Sequence, residues 1–247
     1  MPEHSFREAD HLPNRRADGL PADPAGLPRQ RAGVAPQMHG RYPDYDVLSV
    51  ADHWDPVTRR VVVERVEQVP PIRFFDDTEA ACARRFLDLV LAQDAEPRIP
   101  VLEMVDDKLF EGRQEGYQYA DMPDDRDAWR LVLRGLDEAA REKGAPSFAA
   151  SDEDDAHDVV RSFSAGELSG GAWEQLDVSR AWSLVMRDAT TAFYSHPWAW
   201  NEIGFAGPAY PRGYMRIGTG PWGREPYERE EAFGLDPVSD VRRRGSA

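Results

Sequence analysis

The sequence predicts an all-α fold: an irregular bundle of about five helices, preceded by a short β-hairpin and followed by a long ordered C-terminal loop. Three observations predict it. Apolar residues recur at helical spacing in five separate stretches between residues 76 and 194. Those stretches open on Asp, Ser or Pro and close near Gly, the punctuation of helix ends. After residue 194 the texture changes to Gly and Pro interleaved with Trp, Phe and Tyr, a composition unlike a linker and unlike a regular helix.

In chain order, residues 1–45 are rich in Pro, Gly, Arg and Asp without apolar periodicity, and read as a disordered arm. From Asp46 to Gln68, the valines Val61, Val62, Val63 and Val66 suggest β structure, with a hairpin turn near Asp55–Pro56. A first helix is capped by Asp76 or Asp77, carries Glu79 in its first turn, and presents Phe86, Leu87, Val90 and Leu91 on one face. A second runs from Pro100 to about Phe110, with Leu102, Val105 and Leu109 inward. The third follows Pro123, with Trp129, Val132, Leu133, Leu136 and Ala140 as its stripe and Gly144 near its end. The fourth begins at Ser151 behind the acids Asp152 to Asp155, with Val159, Val160 and Phe163 inward. The fifth spans Val178 to Tyr194 and has the cleanest stripe: Val178, Ala181, Trp182, Val185, Met186, Ala189 and Phe193. One domain over 46–235 therefore includes the aromatic loop 195–227, and 236–247 form a flexible tail.

Composition restricts the function. The 247 residues carry 45 acidic against 30 basic side chains, a net charge of -15, which disfavours nucleic acid and anionic membrane surfaces as partners. No apolar run approaches the roughly 20 residues that span a bilayer. Arg15–Arg16 lacks the apolar stretch that a twin-arginine signal requires, so the expected location is cytoplasmic. The single cysteine, Cys82, excludes an internal disulfide and thiolate clusters. No glycine-rich dinucleotide fingerprint, phosphate loop or haem-attachment motif occurs. The six histidines lack metal-ligand spacing; Glu153 to His157 is one residue too long for the Glu-x-x-His of a di-iron bundle, and the acidic run there reads as a solvated helix start.

Two nucleophile candidates have plainer readings. Cys82 lies on an ordinary helix and reads as a small buried residue. Ser195 and His196 are adjacent, which points their side chains apart, so the imidazole reads as a group bonding the last carbonyls of the fifth helix. The positive signal is the aromatic segment. Trp198, Trp200, Phe205, Tyr210, Arg212 and Tyr214 combine residue types that dominate protein interfaces, and also suit a lid packed on the bundle itself. No catalytic, cofactor-binding or metal-binding residue is assigned.

The run Phe193-Tyr194-Ser195-His196-Pro197-Trp198-Ala199-Trp200-Asn201-Glu202-Ile203-Gly204-Phe205, continued by Gly207-Pro208-Ala209-Tyr210-Pro211-Arg212-Gly213-Tyr214, resembles the C-terminal segment of gluconate 2-dehydrogenase subunit 3 proteins. The earlier order fits as well: Phe74-Phe75-Asp76, a helix, Ile99-Pro100, the helix with Leu133, Gly135, Leu136 and Asp137, then Phe148. The resemblance covers about residues 72 to 227. It implies a non-catalytic small subunit that supports folding, stability or export of a large flavoprotein of the glucose–methanol–choline oxidoreductase type. FAD is then held by the partner and not by this chain, and a cytochrome or other electron-acceptor protein is a further partner. Two alternatives stand beside it. One is a free-standing helical scaffold protein with an unrelated partner. The other is a carbohydrate-acting enzyme using Glu202 and Glu225 near the aromatic loop.

Overall fold

The computed structural model describes residues 30–31, 35–36, 47–93, 98–114, 118–203, 205 and 207–208. The fold is all-α. Its helices are α1 (Pro56–Glu67), α2 (Asp77–Leu91), α3 (Val101–Phe110), α4 (Asp125–Glu142), α5 (Glu153–Ala165), α6 (Val178–Ser195) and α7 (Pro197–Ile203). Short 3-10 turns occur at Val47–His53, Phe148–Ala150 and Gly171–Gln175. Two-residue strands, β1 (Gln30–Arg31) and β2 (Ala35–Pro36), pair antiparallel with Gln30 opposite Pro36. The chain divides into two compact units. One comprises Val69–Asp94 and Pro100–Phe193; the other draws on Met1–Gln68, Ala95–Ile99 and Tyr194–Ala247.

Helix starts are chemically explicit. Asp76 accepts from the Glu79 amide at 2.8 Å while Glu79 accepts from the Asp76 amide at 3.1 Å, a reciprocal capping box that opens α2. Asp124 caps α4 through the amides of Arg126 and Asp127, and Asp152 caps α5 through that of Asp155. At the other end α5 stops on Gly166, whose φ of 72° frees the Glu167 amide to reach the Ser162 carbonyl at 2.9 Å.

Two expectations are corrected. The segment around Asp55–Pro56 is not a hairpin: it begins α1. Asp55 accepts from the amides of Val57 and Thr58, and Pro56 occupies the first helical position, where its missing N–H costs nothing. Asp-Pro serves a turn and a helix start equally, and the valines that favour β structure are carried in a helix because burial of Val62 outweighs the small propensity difference. The segment after residue 194 is not wholly irregular either. Pro197 is again a first helical residue, and α7 runs through Trp198 and Trp200 to Ile203.

The unit of Val69–Asp94 and Pro100–Phe193 has an aromatic core. Phe86, Trp129, Phe148 and Phe163 are essentially inaccessible. Phe163 lies 4.9 Å from Trp173 and 5.2 Å, edge to face, from Trp182, and Phe75 meets Trp129 at 5.9 Å, spacings at which aromatic pairs attract.

Candidate functional site

The aromatic segment begins where α6 ends. The last carbonyls of any helix lack intrahelical donors, and that of Ser195 is satisfied by the Arg65 guanidinium of α1 at 2.7 Å. Sequence reasoning assigned that capping role to His196. His196 instead caps the next helix: its Nδ1 accepts from the Trp198 amide at 3.2 Å, at the start of α7. A ring nitrogen that accepts there is unprotonated, so the imidazole is neutral. His196 is buried, which pushes its pKa down from 6.5 to about 4; a hydrogen bond to the Arg65 backbone opposes this and the nearby Arg65 charge reinforces it.

The three described members of the predicted interface have distinct surroundings. Trp198 is half-buried, with its ring edge-on to His196 at 5.0 Å. Trp200 is buried, donates its indole N–H to the Tyr194 carbonyl at 2.7 Å, and stacks edge to face with Phe205 at 5.4 Å. Trp200 packs with Val47, Ala51, Trp54 and Val62, and Phe205 lies against the same cluster. Gly207 completes the site with a φ of +82°; a Cβ there would sit 2.7 Å from Val47 Cγ2 and 3.0 Å from Trp54. Tyr210, Arg212 and Tyr214 lie outside the described residues, as does Glu225; the side chain of Glu202 is likewise not described.

In the unit of Val69–Asp94 and Pro100–Phe193 the sequence reading missed two carboxylates that organise the interior. Asp106, fully buried on α3, accepts from the successive amides of Arg73, Phe74 and Phe75 at 2.6 to 3.2 Å, which anchors the Phe-Phe-Asp entry to α2. Asp188 on α6 is equally buried and binds Lys108 Nζ at 2.6 Å and the Trp129 indole at 3.0 Å. Both were detectable, since each is an acid lying on an otherwise apolar helical face: Leu102, Asp106, Leu109 and Val185, Asp188, Ala192. Asp125 lies close by; burial first, then the Asp188 charge, raises its pKa.

The residues that carried the family resemblance acquire physical roles. Gly135 sits beneath Trp173, where a Cβ would lie 2.4 Å from the indole, so only glycine lets α4 approach it. Asp137 accepts from the Phe148 amide at 2.9 Å and pairs with Arg141 at 3.1 Å. Cys82 is buried, donates to the Leu133 carbonyl at 3.6 Å, and has its pKa pushed well up by burial and then by Asp137. A cysteine held as the thiol is a poor nucleophile and a packing residue. A cleft of roughly 180 Å³ opens beside it, lined by Asp76, Glu79, Arg130, Arg134, Asp137 and Arg141 among others.

Among the described residues, no three His, Cys, Asp or Glu side chains are grouped so as to hold a metal ion, and no helix is long and apolar enough to cross a membrane. Asp106, Asp137 and Asp188 are matched to backbone amides, to the Trp129 indole and to the cations Arg141 and Lys108.

No curated protein and no solved structure matches the chain. The family model described as gluconate 2-dehydrogenase subunit 3 does match, over residues 77–207, more than half of the chain. Those residues run from the first turn of α2 through α7 to Gly207, and include Gly135, Asp106, Asp137, Asp188 and the tryptophans of α7. The chain belongs to the gluconate 2-dehydrogenase subunit 3 family.

Proposed function

We propose that this chain is the non-catalytic small subunit of a gluconate 2-dehydrogenase-like complex, and that it binds and stabilises an FAD-dependent oxidoreductase of the glucose–methanol–choline type that oxidises a sugar or sugar acid. The observation that carries this reading is the family match across residues 77–207. The chemistry of the interior supports it. Asp106, Asp137 and Asp188 each spend their charge on fixing backbone or a buried cation, which builds a rigid shape. Exposed apolar side chains support a role in binding: Val57 and Val61 lie one turn apart on α1 at 59% and 42% exposure, and Tyr194 ends α6 at 49%. In this reading FAD belongs to the partner, substrate choice resides there, and an electron-acceptor protein completes the complex.

Co-expression with the FAD-dependent dehydrogenase subunits of the same genome tests the proposal. Purification through a tag on this chain should yield a complex with flavin absorbance, and the flavoprotein should lose solubility or activity when made alone. A chain that recovers no flavoprotein, or that by itself oxidises or hydrolyses a sugar, would overturn it.

A further inference from the structure

Two buried carboxylates share one set of cations. Asp125, in the first turn of α4, is 3% exposed, and Asp188 of α6 is 2% exposed. Asp188 is matched on both oxygens: Lys108 Nζ of α3 lies 2.6 Å from one, and the Trp129 indole donates to the other at 3.0 Å. Asp125 is not. Its Oδ1 accepts from the Gln118 side-chain amide at 3.3 Å, while its Oδ2 is buried without a hydrogen bond. Arg187 reaches both acids at ion-pair distance and hydrogen-bonds neither. Its Nη2 lies 3.6 Å from Asp125 Oδ2 and its Nε 3.7 Å from Asp188 Oδ1, and that Nε is itself buried without a hydrogen bond.

An ionised carboxylate is costly to bury when one of its oxygens accepts nothing, and a second ionised carboxylate in the same cluster adds repulsion. The neutral acid escapes both. The charged groups that face Asp125 are Asp188 and Arg187 from α6 and Lys108 from α3, with Gln118 as the uncharged donor. Lys108 is already held by Asp188, and Arg187 is divided between the two acids. Burial first, then the Asp188 charge, outweighs these cations and raises the Asp125 pKa above its ordinary 3.8.

We infer that Asp125 and Asp188 form a proton-dependent joint between α4 and α6: Asp125 surrenders its charge first, Arg187 then passes from between the two acids to Asp188 alone, and the joint tightens as pH falls. The joint needs no second subunit and stands apart from the subunit reading. Its sign follows from linkage. The folded chain holds the proton more tightly than the unfolded chain, so the contribution of Asp125 to stability is fully present below 3.8 and lost as pH rises through the folded value. His196 acts in the opposite direction.

A carbon-13 titration of the side-chain carboxyls in the full chain tests this, with the Asp125 signal assigned by its loss in Asp125→Asn. Asp125 should titrate above 3.8, and the Arg187 Nε–H resonance should move with the same midpoint. Asp125→Asn keeps an oxygen for the Gln118 amide and stands in for the neutral acid. It should raise the thermal midpoint by about 2–4 °C at pH 7, and the gain should vanish as pH falls through the Asp125 titration. Both proteins carry His196, so their difference isolates the joint. Arg187→Gln, at a partly exposed side chain, should push the Asp125 midpoint further up. An Asp125 that titrates at or below 3.8, an Asp125→Asn chain no more stable than its parent at pH 7, or an Arg187 resonance indifferent to the Asp125 titration would each overturn the joint.

Discussion

Single side chains in this protein act chiefly by satisfying backbone. Asp106 binds three consecutive amides, so Asp106→Ala strips the donors of a buried turn at once; a loss of about 3–5 kcal/mol is expected, measured by denaturant unfolding. Gly135 makes the opposite demand, for nothing at all. Gly135→Ala gains helix propensity but drives a methyl into Trp173, and should cost on the order of 1–3 kcal/mol net. His196 adds a pH dependence whose sign follows from its neutral state. Between pH 6.5 and about 4 the unfolded chain takes up a proton that the folded chain refuses. Stability is therefore fully present above 6.5 and declines as pH falls through this window, by roughly 3 kcal/mol in total if the unfolded value is ordinary. His196→Asn retains an acceptor for the Trp198 amide and should flatten that slope in a series of unfolding curves from pH 4 to 7. An unchanged slope would assign the acid sensitivity to other groups.

At the scale of elements, the ends of helices decide where each begins and what it meets. The α2 terminus offers a clean test. Ala92 is exposed with a φ of 53°, the left-handed conformation that closes the helix through the Gln93 amide to the Asp88 carbonyl. Ala92→Gly removes the Cβ penalty there and should raise stability by about 0.5–1 kcal/mol, the reverse of the usual effect of glycine, read as a shift in thermal midpoint. The α6–α7 junction is built from two complementary devices. Arg65 satisfies the outgoing carbonyl of Ser195 and His196 the incoming amide of Trp198, so the chain turns at Pro197 without a bare polar group at either end. That turn brings the Trp200 indole back to the Tyr194 carbonyl. Arg65→Met preserves most of the packing but removes the guanidinium donor from the Ser195 carbonyl; exchange should quicken at 195–200 and not in α4.

For the whole molecule, the aromatic segment shows how distant parts of the chain close on one another. A surface bearing Trp198, Trp200 and Phe205 has to be covered, and in this chain residues 47–62 cover it in part. Gly207 makes the fit close on that side, since any side chain would strike Val47 and Trp54. Gly207→Val should therefore loosen the 47–62 packing, made visible as increased binding of an apolar dye, with far-UV circular dichroism retained. A complex of the proposed kind that is stable through purification is expected to bury well above 1,000 Å² in total.

What the sequence determined by itself is local. The caps at Asp76, Asp124 and Asp152, the stripes of α2 to α6, and the run from Phe193 to Phe205 that carries the family are all written within short windows, because capping and amphipathicity are properties of neighbours along the chain. The tertiary structure decided what depends on distant partners. Asp-Pro at 55–56 is compatible with a turn or a helix start; in the structure it starts α1, whose Val62 packs beside Trp200. The same holds for Arg65 on Ser195, 130 residues away, for Asp188 on Trp129, and for the inward face of Trp200. An acid or an arginine on a helix carries the same letter whether it faces water or a carbonyl from another part of the chain, and the difference in its energy appears only when that other part arrives.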